Sequence, residues 1–353
     1  MKNLIVLIGA GASAGAVVPG INSRHGWAPP VTKDIFNIRF ESILNKFGSV
    51  SSFAGINDDL ANGADLEIYL NAHIGTHLTY SRLSDTRRRQ INQLPLYLQD
   101  LFRYITDLFS ATNYYRRLVD QLFESNIKVT FVTLNYDLLL DRAIEDASGI
   151  QLDNFANYFV NSGKWVLLKP HGSINWFRQI MNRYGQTGEN FESWKAIVNR
   201  MNILTDLDKI IFHVEKLNSS DTNSFTNGFI NNVPFYPALA IPNGEYEFIY
   251  PVDNYREILE KNLQESENYL LIGLSGYAKD LLKVLNDNVK SVRNLLIVGR
   301  SHVNDTYEKL ILEAPVFSRD QWSVNDVKYG SGFENFVKIK NAGSDLENFL
   351  GKL

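Results

Sequence analysis

Six short apolar runs, each closed by glycine or polar residues, set the tightest limit on what this chain can fold into. They are NLIVLIG (Asn3 to Gly9), VTFVTLN (Val129 to Asn135), WVLLKPHG (Trp165 to Gly172), PALAIP (Pro237 to Pro242), YLLIGLS (Tyr269 to Ser275) and NLLIVGRS (Asn294 to Ser301). A strand with one wet face alternates apolar with polar residues. Runs apolar on both faces suit strands buried in a parallel sheet. Between them, Leu138 to Ala147, Asn254 to Glu267, Lys279 to Val289 and Val303 to Leu312 carry helix-spaced patterns. Strand alternating with helix predicts an α/β fold with a Rossmann-like doubly wound parallel sheet, whose ligands sit at the carboxyl ends of the strands.

Two stretches break this rhythm. The first, about 35–127, reads as a large helical insertion: Leu98, Leu101, Phe102, Ile105, Leu108 and Phe109 follow helix spacing, as do Leu118, Val119, Leu122 and Phe123. That apolar stripe is core or an oligomer contact. The second, about 178–236, is polar and Asn-rich with a short helical piece near Trp194 to Leu204, and reads as a smaller insertion. The expectation is one catalytic domain over 1–353 carrying both.

The 353 residues can bury a substantial core, and the net charge of −4 gives no positive field to draw in nucleic acid or an anionic membrane. The basic run Arg87 to Arg89 is read as a solvated helix face. There is no cysteine, which removes disulfides, thiol catalysis and every cysteine-ligated metal site.

The amino-terminal stretch NLIVLIGAGASAG (Asn3 to Gly15) imitates a secretory signal, with Lys2, an apolar core and a small-x-small ASA, but its apolar run is short and glycines follow at once. No later run reaches the ~18 apolar residues of a membrane span, so the chain is expected to be cytoplasmic. Gly9, Gly11 and Ala14 also spell G-x-G-x-x-A after a strand. A Rossmann dehydrogenase would continue with a helix, a second strand and an acidic residue about 20 positions on. Ala16 to Phe36 instead holds three prolines and no strand-like run, and Asp34 ends no strand. The Gly-Lys-Ser/Thr of a phosphate-binding loop is missing from that context.

The later strand ends carry the chemistry. TLNYD places Thr133, Asn135 and Asp137 where a strand gives way to a helix; KPHGS places His171 between Pro170 and Gly172; IGLS and VGRS place Gly273 with Ser275 and Gly299 with Ser301. Each has a structural explanation, since Asn135 or Asp137 can cap the next helix, His171 can be a turn residue and the serines can be caps. Taken together, polar residues at consecutive strand ends converging with a glycine-rich first turn mark a ligand site.

In order and type, GAGAS (Gly9 to Ser13), TLNYD, KPHGS and LLIGLS resemble the motifs of the sirtuin-like family, specifically its bacterial branch of NAD-consuming enzymes in antiphage defence. The resemblance spans Leu4 to Leu350 outside the two insertions. It implies that Gly9, Ala10, Gly11 and Ser13 cradle the pyrophosphate of NAD, that Thr133 belongs to the cofactor-binding set, that Asp137 helps hold the nicotinamide end, and that Gly273 and Ser275 lie toward the adenosine side. Asn135 would orient the nicotinamide ribose and a water, with His171 as the base, a role that imidazole fills near neutral pH.

The departures from the family narrow the activity. Sirtuin deacylases carry a four-cysteine zinc module, whereas this chain has no cysteine, and their cofactor loop is replaced by PGINSRHGWAPP. With the NAD motifs retained and no acyl-lysine groove implied, water is the simplest nucleophile. The expected activity is an NAD glycohydrolase, with NAD as substrate and no zinc. Unchecked, it would drain the cell's NAD, so the resemblance also implies control by homo-oligomerisation or by a partner such as a HerA-type hexameric ATPase. The alternative of another class is a non-enzymatic sensor of NAD or ADP-ribose; a deacylase or ADP-ribosyltransferase ranks lower.

Overall fold

A computed structural model describes residues 2–17, 20, 24–56, 59–60, 66–74, 83–111, 113–159, 163–181, 191–203, 206–214, 229–230, 233–241, 248–275, 278–300, 303–318, 328–338 and 343–353. The strands are β1 (Lys2–Ile8), β2 (Ile127–Thr133), β3 (Trp165–Leu168), β4 (Gly172–Ile180), β5 (Leu207–Val214), β6 (Phe229–Ile230), β7 (Val233–Leu239), β8 (Asn268–Ile272), β9 (Asn294–Val298) and β10 (Lys328–Tyr329). The helices are α1 (Ala10–Ala16), α2 (Glu41–Leu44), α3 (Leu66–Ile74), α4 (Asp85–Phe109), α5 (Tyr115–Glu124), α6 (Leu139–Ser148), α7 (Phe155–Phe159), α8 (Phe191–Arg200), α9 (Tyr255–Glu265), α10 (Lys279–Asn288), α11 (Val303–Glu313), α12 (Phe333–Val337) and α13 (Asp345–Lys352).

The chain forms two compact units. The first comprises Met1–Val31, Leu108–Pro170 and Asp253–Leu353. Its sheet runs β10-β9-β8-β1-β2-β3 with every pairing parallel. Leu4, Ile5, Val6, Leu7 and Ile8 of β1 are all at most 1% exposed, the burial on both faces that an unbroken apolar run dictates. Each such side chain contributes roughly 1.5–3 kcal/mol of burial. The strand order fixes the ligand side. From β1 the chain steps outward to β2 and β3, then returns through β8 on the other flank, so the topological switch point lies between β1 and β8. This is the doubly wound sheet expected from the runs.

The second unit comprises Thr32–Asp107 and His171–Val252. Its antiparallel sheet runs β5-β4-β7-β6. The 25-residue α4 is tied to this unit by polar side chains: Gln99 Nε2 donates to Ile174 O at 2.8 Å, and Asn92 Nδ2 donates to Val198 O at 2.8 Å and Met201 O at 3.0 Å. Tyr236 on β7 donates to Asn92 O at 2.8 Å. Phe36 stacks on Tyr97 with ring centroids 5.7 Å apart.

One strand expectation is corrected here. PALAIP was expected in the parallel sheet, but Pro237–Leu239 closes β7 of the antiparallel one. A short apolar run records burial without its pairing partner, so the run alone could not distinguish the two sheets.

Candidate functional site

The site begins at the switch point. Gly9 N donates to Ile272 O and Gly11 N to Gly273 O, both at 3.0 Å, so the turn after β1 is laced to the turn after β8. Glycine is required on both sides. Gly273 has φ +62, and a Cβ there would lie 2.0 Å from Ala12 N; a Cβ on Gly9 would lie 2.7 Å from Gly273 O. Two of the loop's amides are therefore spent on the fold. Among the described residues, Ala10 N has no acceptor.

One turn into α1, Ser13 is buried and meets the loop after β2. Its hydroxyl donates to Asp137 Oδ2 at 2.8 Å and receives Asn135 Nδ2 at 2.9 Å. Asn135 Nδ2 also faces Gly9 O at 3.1 Å and Tyr115 OH at 3.4 Å. A carbonyl can only accept, so Gly9 O fixes which end of the amide points inward. Among the described residues no donor reaches Asn135 Oδ1, leaving it as the group's unused acceptor. Thr133 holds the loop by accepting Asn135 N at 3.2 Å.

Asp137 serves two masters: Oδ1 accepts Leu139 N at 3.0 Å in the first turn of α6, while Oδ2 takes the Ser13 proton. The capping explanation and the site explanation hold together. Burial pushes the Asp137 carboxyl up from its ordinary range, and the Lys169 charge and the hydrogen bonds from Leu139 and Ser13 pull it back.

Four groups in this network were not singled out from the sequence. Tyr115, the first residue of α5, places its hydroxyl 3.1 Å from Ser13 Oγ. Burial, then the charge of Asp137, holds that phenol protonated well above its usual range. Lys169 follows β3 and is wholly buried; its Nζ donates to Asp137 O at 2.8 Å and Asp141 Oδ2 at 2.9 Å. Asp141 Oδ1 accepts the Tyr158 hydroxyl at 3.0 Å. A legible signal existed only for Lys169, the one charge inside the otherwise apolar WVLLKP.

The structure thus brings Gly9, Ala10, Gly11, Ser13, Thr133, Asn135, Asp137 and Gly273 into the first unit, seven of them linked by the hydrogen bonds above and Ala10 following Gly9 in the turn. Ser275 lies beyond the turn after β8 and is exposed; Ser301 lies outside the described residues. His171 opens the second unit, two residues after Lys169. It is buried, its carbonyl accepts Ala240 N at 2.9 Å, and its ring lies 6.0 Å from that of Phe248. Beside it, Gly172 has φ +83 and presses on β7, where a Cβ would fall 1.8 Å from Ala238 O. Among the described residues there is no cluster able to hold a metal ion and no helix long and apolar enough to cross a membrane.

No family model and no curated protein sequence matches the chain. Among solved structures it is similar to a Sir2 homologue mutant bound to ADP ribose, at 10% identity over 90% of each chain with a TM-score of 0.34. It is similar also to a Sir2 homologue mutant with 2′-O-acetyl ADP ribose, at 11% identity over 92% of this chain and 95% of that one, TM-score 0.36. A Sir2 homologue bound to NAD is similar at 10% identity over 90% and 91%, TM-score 0.34.

Proposed function

We propose that the chain is an NAD+ glycohydrolase, cleaving NAD+ to nicotinamide and ADP-ribose. The observation that carries this reading is the fixed amide of Asn135 at the carboxyl end of β2, with its N–H groups turned onto Gly9, Ser13 and Tyr115 and its carbonyl oxygen unused. A rigid acceptor beside the switch point suits a ribose hydroxyl or an attacking water, because orientation fixed in advance lowers the entropic part of the barrier.

Breaking the bond from nicotinamide to ribose C1′ builds oxocarbenium character, as in glycoside hydrolysis. The pyridinium nitrogen is already cationic, so the ring leaves as neutral nicotinamide without an acid. Water adds its oxygen to C1′ as the C–N bond opens, and its proton passes to His171 directly or through a ribose hydroxyl. Gly9, Ala10, Gly11 and Ser13 would face the pyrophosphate, Thr133 would belong to the cofactor-binding set, Asp137 would help hold the nicotinamide end, and Gly273 and Ser275 would lie toward adenosine. Following the sirtuin-like resemblance, the cellular role would be NAD+ depletion in bacterial antiviral defence. Assembly into an oligomer, or a partner such as a HerA-type hexameric ATPase, would gate it.

The test is nicotinamide release from NAD+. Wild type should release it, and Asn135→Ala or His171→Ala should cut the rate by about 10²- to 10⁴-fold. Release that is absent from wild type with and without a partner, or unchanged in both variants, sinks the reading. The sensor reading needs the glycine loop but not the base. Tight NAD+ binding in calorimetry without turnover would decide for the sensor.

A further inference from the structure

Lys169 is 0% exposed, and its partner Asp141 is nearly as deep. Stability alone is a poor reason for such a pair, since a buried ion pair is often no better than well-packed apolar residues. The hydrogen bonds leading away from it supply another. The Lys169 ammonium holds both the main chain of Asp137 and the carboxylate of Asp141, and the Asp137 carboxylate takes the single proton of Ser13. With that proton committed, the Ser13 oxygen offers its lone pairs to Asn135 and Tyr115. A protonated Asp137 would be a donor toward Ser13, would turn the serine proton onto its neighbours, and would loosen the Asn135 amide.

We propose that Lys169 is a positioning residue: its buried ammonium keeps the Asp137 carboxylate an acceptor and so orients Ser13 and, through it, Asn135. Its catalytic consequence rests on the NAD+ reading above; its effect on Asp137 does not. The charged and titratable groups that face Asp137 are Lys169 after β3, Asp141 on α6 and Tyr115 on α5, with Ser13 of α1 contributing a hydroxyl; Tyr158 of α7 meets Asp141. Removing the positive charge makes Asp137 hold its proton more tightly. Removing the Asp141 charge does the reverse, because the ammonium then acts on Asp137 uncompensated. A role confined to packing moves neither.

The experiment titrates the Asp137 carboxyl carbon by NMR in protein labelled at aspartate, assigned by its loss in Asp137→Asn. Lys169→Met should move the Asp137 midpoint up by about 1 pH unit or more, and Asp141→Asn should move it down. The double variant Lys169→Met/Asp141→Asn should lie between the two single variants, since the two charges act on Asp137 in opposite directions. In parallel, Lys169→Met should lower kcat for nicotinamide release about 10-fold or more with KM changed less than about threefold, and the double variant should recover part of the loss. Midpoints that stay put, or that move the same way in both single variants, overturn the proposal. Should Lys169→Met fail to fold, the same titration in Lys169→Gln, which keeps a donor but not the charge, decides it. A wild type that releases no nicotinamide with or without a partner removes the glycohydrolase reading and leaves the titration to judge Lys169 by itself.

Discussion

Asp137 shows how a single side chain is asked to do incompatible things. Its Oδ1 starts α6 and its Oδ2 orients Ser13, both tasks for an acceptor, yet it is buried, which favours the protonated form. The direction of the shift determines the pH dependence. A carboxyl raised in the folded state takes up a proton on folding. Its contribution to stability is complete below the ordinary aspartate range and is lost as pH rises through the raised value. Asn at this position keeps the cap acceptor and does not titrate. The Tm deficit of Asp137→Asn relative to wild type should therefore be larger near pH 4 than near pH 8, as measured by thermal melts across that range. A deficit that is constant, or that grows with pH, contradicts the assignment. Nicotinamide release should fall in the same variant, because an amide N–H would then face Ser13 and turn the serine proton onto Tyr115.

Among the elements, the crossing of the β1–α1 and β8–α10 turns positions everything else. The two turns approach so closely that glycine is obligatory, and the amides of Gly9 and Gly11 are consumed in holding them together. Gly273→Ala meets both a left-handed φ and the main chain of Ala12, so it should lose about 3 kcal/mol or more in urea denaturation. Gly149 ends α6 with a similar φ of +73 but has nothing within 4 Å of a built Cβ. Gly149→Ala should therefore cost only the backbone strain, about 1 kcal/mol. Equal losses in the two variants would mean that crowding at the switch point is not what demands glycine. Ser344 and Glu347 form a reciprocal capping box that starts α13.

For the whole molecule, the chain has a net charge of −4 and two compact units. An enzyme of the proposed kind would need a gate, and the proposal above gives that role to assembly or to a partner. Specific activity for nicotinamide release should rise steeply with protein concentration and level off once the oligomer is complete, in step with the mass seen by light scattering. Activity strictly proportional to concentration, with one unchanging mass, would remove assembly as the gate.

The sequence by itself marked five of the six strands of the parallel sheet, β10 excepted, because burial on both faces leaves an unbroken apolar run. Thr133, Asn135 and Asp137 were legible for that reason, standing where the pattern changes period. Tyr115 was not: it begins an amphipathic helix whose stripe says only that one side is buried, and nothing local announces that its hydroxyl meets Ser13 from 102 residues away. PALAIP was misplaced because strand pairing is a long-range choice that a seven-residue strand does not encode. Tertiary structure alone decided that the glycines serve the crossing of two turns, that the Asn135 amide faces inward, and that a lysine two residues before His171 lies wholly buried between Asp137 and Asp141. Those outcomes depend on which residues meet across the sheet, and hydrogen bonds and buried charges are settled there.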